Sequence, residues 1–404
     1  MRTAFPMLHF RLLPSAVCAA TLALPVVAFA QSGRPGGAEP PAAPQPTDAE
    51  REAALLANVV QLTSGDRFSK AGEAYFSPDD RRVIFQAVEK PTDGREPDEF
   101  YAMYVADVVR DGDRITGLAN ILRLSPDGSA NTCGWFDPRN PNIVLFGSTI
   151  GPPTASDPPG YQRGTGRYRW MFPPEMRIVQ ADLSKGEKAR GELKTIVGDG
   201  KAYVAEGSLS PDGRFLIYCD HGKNEGDLYI LDRDTGSTLP VVVARGYDGG
   251  PFFSPEGKRI VYRSDRNNDN HLQLFVADLA FAPNGAITGI STEHQVTRDS
   301  NVNWCPYFHP SGQFLVFASS AAGHRNYEVF SIDAGTVTRD GVPQSRYGTN
   351  QRRITHAEGA DVLPVFSHDG KYMLWTGQRN PERSSQLYVA EWTAPKDPVI
   401  QPGR

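Results

Sequence analysis

Four residues of one recurring position are the best candidates for chemistry. Seven residues before a repeated turn proline, or its His368 equivalent, stand Ala71, Asn131, Val204, Asp248, Asn303 and Asp361. Asn131, Asp248, Asn303 and Asp361 together would make a ring of carboxylates and amides. Such a ring could hold a cation, a peptide terminus or a sugar. The same residue types also cap strand entries and bond local backbone. A second candidate is the segment Thr149 to Glu175, with Tyr161, Arg163, Arg167, Tyr168, Arg169 and Trp170. Guanidinium and aromatic groups so interleaved suit an anionic or sugar ligand through ion pairing and stacking. The alternative is a loop that packs its own aromatics over one face.

Other constellations carry less. Outside the leader the histidines include His221, His271 and His324, which fall at similar places in the repeat. None belongs to an H-E-x-x-H or a paired zinc spacing. Asp265, Asn267 and Asp269 imitate the start of a calcium loop, but Asn270 and Val276 stand where glycine and glutamate are needed. No catalytic residue is assigned and no cofactor is expected, although a divalent cation in a channel remains compatible with the carboxylates. Cys133 and Cys305 both lie five residues before the turn proline, in repeats two and five. Opposite sides of a six-fold ring are too far apart for a disulfide.

The element that must position these residues is a repeat. Its core is an apolar pair, a Ser-Pro-Asp-Gly-like turn and an apolar strand. The pairs and prolines are Tyr75-Phe76 with Pro78, Trp135-Phe136 with Pro138, Leu209 with Pro211, Phe252-Phe253 with Pro255, and Tyr307-Phe308 with Pro310. The sixth copy, Val365-Phe366, has His368 instead. Proline presets φ near −65°, Asp bonds its own backbone and Gly supplies positive φ, so two strands meet there as a hairpin. Each hairpin is followed by a strand with an acid three places after a bulky apolar residue: Tyr104/Asp107, Val179/Asp182, Tyr229/Asp232, Phe275/Asp278, Phe330/Asp333 and Tyr388/Glu391. A fourth strand is expected at Ile121–Leu124, Leu193–Val197, Leu239–Val243, Gln295–Thr297 and Arg353–Thr355. The sixth copy has none after it, but Val59–Thr63 precedes the first.

The fold this predicts is all-β: a six-bladed β-propeller of four-stranded blades, closed by the N-terminal strand Val59–Thr63 in the last blade. Closure leaves no open sheet edge at the seam. The propeller should span residues 58–393. Residues 31–57 should be a Pro/Ala-rich tether followed by a short helix from Asp48 to Ala57, with Thr47 and Glu50 as a capping box. Residues 394–404 read as a flexible tail.

Residues 1–30 read as a signal peptide: Arg2 and Arg11, an apolar run from Leu12, and Ala28-Phe29-Ala30 before Gln31. Its removal leaves 40 basic against 47 acidic residues, a net charge of −7. An acidic chain argues against a nucleic-acid partner. No later segment approaches the ~20 apolar residues of a membrane span. Three cysteines are too few for a disulfide framework.

The stretch Tyr247-Asp-Gly-Gly-Pro-Phe-Phe-Ser-Pro-Glu-Gly-Lys-Arg-Ile-Val-Tyr-Arg-Ser-Asp-Arg266 resembles the propeller repeat of the TolB family and the WD-like repeats around it, and the resemblance runs over about residues 58–392. It implies a periplasmic propeller; the leading expectation is a periplasmic or secreted, monomeric, non-enzymatic binding module that engages an envelope protein or polymer at the channel mouth and the blade-two loop. Residues 31–57 are too short for the N-terminal α/β domain of that family. Similar repeats form the gate of prolyl oligopeptidase-like enzymes, whose hydrolase domain and G-x-S-x-G elbow have no counterpart here. The alternative expectation is a metal-dependent propeller lyase or hydrolase acting on a polysaccharide.

Overall fold

The turn chemistry builds the hairpins as expected. In the computed structural model, Ser77, Ser210 and Ser367 donate to Asp79, Asp212 and Asp369 at 2.6, 2.5 and 2.7 Å. The same hydroxyls accept the N–H of the next strand's first residues, Arg82, Phe215 and Tyr372, at 2.9–3.0 Å. The fourth turn position is left-handed in blade three at Gly213 and blade four at Gly257, both with φ +69°. Asp80 takes that conformation in blade one, with φ +55°. The structure describes residues 45–154, 160–162, 167–169, 172–223, 225–267, 269, 271–339 and 342–393. The expected leader, most of the tether and the expected tail at 394–404 lie outside these.

Among the described residues six antiparallel sheets follow one another, and in five of them the innermost strand is first in sequence; in the sixth the outermost strand comes from the N-terminal side. The innermost strands are Phe68–Phe76, Asn131–Phe136, Val204–Leu209, Asp248–Phe253, Asn303–Phe308 and Asp361–Phe366. Second strands such as Phe314–Ser319 and Tyr372–Gly377 are buried along their whole length. Neighbouring blades cover both of their faces, which is why these strands are continuous apolar runs rather than alternating ones.

The ring closes as the missing sixth outer strand requires. Leu56–Gln61 pairs antiparallel with Gln386–Trp392 of blade six, in the register Leu56↔Trp392 and Gln61↔Tyr388. The strand starts earlier than Val59 because the bulge at Asn58, with φ +52°, hides its first residues from the alternation. The Leu387 amide donates to Thr63 Oγ1 at 2.9 Å and extends the seam. Before it, the helix Asp48–Ala53 carries the expected capping box between Thr47 and Glu50. It stops short of Ala57 because Leu55 and Leu56 are buried in the seam. Glu52 then pairs with Arg379 at 2.6 Å, and Arg379 with Asp361 at 2.6 Å.

The outer strands depart most from expectation. In blade one the fourth strand is Arg114–Arg123, and in blade four Ile287–Gln295. Both begin well before the expected segments, because Gly112 and Gly285 turn long hairpins at φ +59° and +77°. In blade five the third strand, Glu328–Arg339, pairs with Val342–Tyr347 and then with the short Arg352–Arg353. No described helix is long and apolar enough to cross a membrane.

Candidate functional site

Every innermost strand breaks its register at the same place. The shifts fall at Gly72/Ala74, Thr132/Trp135, Ala205/Ser208, Gly249/Phe252, Trp304/Tyr307 and Val362/Val365. At each break one residue is left-handed: Glu73, Cys133, Glu206, Gly250, Cys305 and Leu363, with φ from +44° to +59°. Bulges of this kind re-aim side chains. Here all six residues line one central cavity of about 600 Å³. Only Gly250 takes that backbone without strain; for the others it costs about 1–2 kcal/mol each.

Two residues further on, the chain fills the channel. Tyr75, Trp135, Phe252 and Tyr307 pack ring against ring, with centroids 5.2 Å apart for Tyr75–Trp135 and 5.4 Å for Phe252–Tyr307. This plug is the floor of the cavity. On its other side lies a smaller space of about 290 Å³, lined by the turn prolines and His368.

The cavity wall is polar in two places. Glu206 of blade three accepts from the Tyr247 hydroxyl at 2.7 Å and the Tyr203 hydroxyl at 3.3 Å. It also takes the Gly250 amide and pairs with Arg263 at 3.1 Å. Glu73 of blade one accepts from Thr132 Oγ1 at 2.9 Å, the Cys133 amide at 3.3 Å and the Tyr75 hydroxyl at 3.2 Å. Burial first, and the charge of Glu73 second, push the Cys133 thiol and the Tyr75 hydroxyl up. Burial likewise pushes up Cys305. These thiols stay protonated at neutral pH, and the three described cysteines are unbridged.

The rim gathers Lys70, Glu99, Phe100, Tyr101 and Phe172. The Lys70 ammonium lies 4.5 Å above the Tyr101 ring. Phe172, at the end of the blade-two insertion, packs on His221, Tyr203 and Tyr247 with centroids 4.3–5.5 Å apart. The insertion therefore ends on the cavity side of the propeller. Its candidate residues Tyr161, Arg167 and Arg169 fall in a short hairpin, Gly160–Gln162 with Arg167–Arg169. Arg163 and Trp170 lie outside the described residues.

The four channel-mouth candidates are placed differently from the expected ring. Only Asn131 reaches the cavity wall. Its amide donates to the carbonyls of Tyr101 and Ser129, both at 2.9 Å. Asp248, Asn303 and Asp361 are fully buried off that wall. Asp248 faces Arg266 at 3.3 Å, Asn303 donates to Asp299 at 2.9 Å, and Asp361 binds Arg379 and the Trp375 indole. They anchor strand entry, the local-bonding role open to their residue types. The residues that do face the channel stand two places later, and the left-handed bulge between the two positions is the reason. Cys133 and Cys305 already marked that place; reading all six residues there would have found it. Among the described residues no three His, Cys, Asp or Glu side chains come together to hold a metal.

No family model matches the chain. An uncharacterised protein of Agrobacterium fabrum is 30% identical over 110 residues, covering 27% of this chain and 34% of that protein. Dipeptidyl-peptidase 5 of Porphyromonas gingivalis is 32% identical over 168 residues, covering 39% of this chain and 23% of that protein. The Tol-Pal system protein TolB of Francisella tularensis is 24% identical over 184 residues, covering 46% of this chain and 37% of that protein. The chain thus matches well under half the length of these relatives. Among solved structures, a putative TolB from Agrobacterium tumefaciens superposes with a TM-score of 0.47 at 16% identity, over 80% of this chain and 91% of that one. An oligogalacturonate lyase in complex with manganese gives 0.44 at 16% identity, over 85% and 95%. The chain is a six-bladed propeller built of TolB-like repeats.

Proposed function

We propose that this chain is a periplasmic binding module that receives a protein or envelope polymer in the channel mouth on the insertion side. One observation carries the reading: a deep cavity, floored by an aromatic plug and walled by polar groups that are already held in place. Prearranged concave sites with a few convergent polar groups are where ligands bind. Burial keeps the wall thiols Cys133 and Cys305 protonated, and the thiolate is the reactive form, so the wall offers no thiol nucleophile. The leader-like first 30 residues and the likeness to TolB support the periplasm. A Tol-type partner belongs to this proposal. So does action as a monomer.

Val362 lines the cavity and is half-buried, whereas Val243 is 60% exposed and is not among the lining residues. A photocrosslinking amino acid placed at Val362 should trap a partner in intact cells, and one at Val243 should not. Equal adducts at both positions, or none at Val362, overturn the reading.

A further inference from the structure

The ring of left-handed residues contains an internal comparison. Glu73 and Glu206 are the same residue type at the same position, two blades apart. Each carboxylate accepts the ring-position amide of the next blade: Cys133 for Glu73 and Gly250 for Glu206. Each also accepts a tyrosine hydroxyl. The two sites differ in charge. Glu206 has the Arg263 guanidinium, from the second strand of blade four, where Arg263 stands opposite Gly249. The corresponding residue of blade two, opposite Thr132, is Gly147. Among the described residues Glu73 therefore has three neutral donors, Thr132, Cys133 and Tyr75, and no basic partner.

That arrangement is costly for the fold alone. Glu73 is 8% exposed, so its charge is largely removed from water. A buried carboxylate without a counter-charge destabilises a fold even when hydrogen bonds offset part of that cost. Its backbone is strained as well, at φ +44°. The Oε1 atom has a single donor, at 3.2 Å, and so keeps capacity for another. Lys70 does not fill that role, since its ammonium rests on Tyr101 and its electrostatic partner is Glu99. Beside Glu73 lies open cavity, with Tyr75, Tyr101 and Phe100 on the same wall. A carboxylate flanked by aromatic faces is how proteins receive organic cations.

From this geometry we infer that Glu73 is the anchor for a cationic group carried by the bound partner, a primary ammonium or a guanidinium. The cation takes the place at Glu73 that Arg263 takes at Glu206. The inference rests on the channel reading above and names the chemistry that the channel selects. Three sources share it: a peptide N-terminus, a lysine side chain and an arginine side chain.

Four probes separate them by NMR titration of the purified protein: tri-alanine amide, N-acetyl-lysine amide, N-acetyl-arginine amide and the neutral N-acetyl-norleucine amide. At least one cationic probe should bind at least about tenfold more tightly than the neutral one, the worth of a charge-assisted hydrogen bond. Glu73→Gln should remove that preference. The same variant should unfold in urea at a midpoint no lower than wild type, because it removes an uncompensated buried charge. Equal binding of the charged and neutral probes, equal binding by wild type and Glu73→Gln, or no binding of any cationic probe each overturns the inference. Those results leave the Val362 crosslink to decide separately whether the channel receives a partner.

Discussion

At the scale of single residues, the channel wall buries charge. Arg263 neutralises Glu206, and both are largely buried. Breaking one side of such a pair typically costs about 3–5 kcal/mol, because the other charge is left uncompensated. Arg263→Met should therefore lower stability by about that much in urea unfolding. The double variant Arg263→Met with Glu206→Gln should recover most of the loss. Asp248 gives the pH dependence. Burial pushes its carboxyl up to about 6, against the opposing effects of Ser264 and Arg266. A carboxyl raised on folding stabilises the fold when protonated, so its contribution is present below pH ~4 and lost as pH rises past 6. Compared with Asp248→Asn, the wild type should lose stability across that window. A difference between the two that does not change from pH 4 to pH 7, followed by urea midpoints, contradicts the assignment.

At the scale of elements, the seam explains a residue that breaks the repeat. His368 stands where five blades have proline. Its backbone N–H donates to Asp80 of blade one at 2.8 Å, and the Asp369 amide donates to the same carboxylate at 3.2 Å. Proline has no N–H to give. His368→Pro should thus reduce stability by about 1–2 kcal/mol despite matching the other five turns, measured as a shift in the denaturation midpoint. The seam strand makes a stronger demand. A chain starting at residue 45 should melt as the full chain does, whereas one starting at residue 64 lacks Leu56–Gln61 and should unfold or aggregate. An unchanged melting temperature for the shorter chain would contradict closure through this strand. The hairpins were legible because Ser-Pro-Asp-Gly has a turn mechanism at each position. The outer strands of blades one and four were not, since their third strands run on past the acidic residues Asp107 and Asp278 before turning at Gly112 and Gly285. The candidate site was legible only in part. Register through each inner strand depends on a left-handed bulge, and glutamate, cysteine and leucine do not announce that backbone; only Gly250 does. Counting from the proline therefore selected the anchoring position of Asp248, Asn303 and Asp361, two residues from the one that lines the channel.

At the scale of the whole molecule, the six blades place one left-handed residue each around a common cavity and four aromatic rings beneath it. The ring has pseudo-symmetry in backbone but not in side chain. Entry to the periplasm should leave a mature protein that begins at Gln31, which N-terminal sequencing of secreted material reads directly; an intact Met1 in the periplasmic fraction contradicts it. We propose that the cavity itself, and not the outer surface, receives the partner. Val362→Trp places a large side chain on the cavity wall without touching Glu73, Glu206 or Arg263. Calorimetric titration of the partner trapped at Val362 should show affinity reduced more than tenfold by this variant, with an unchanged melting temperature. Affinity equal to wild type would contradict the claim.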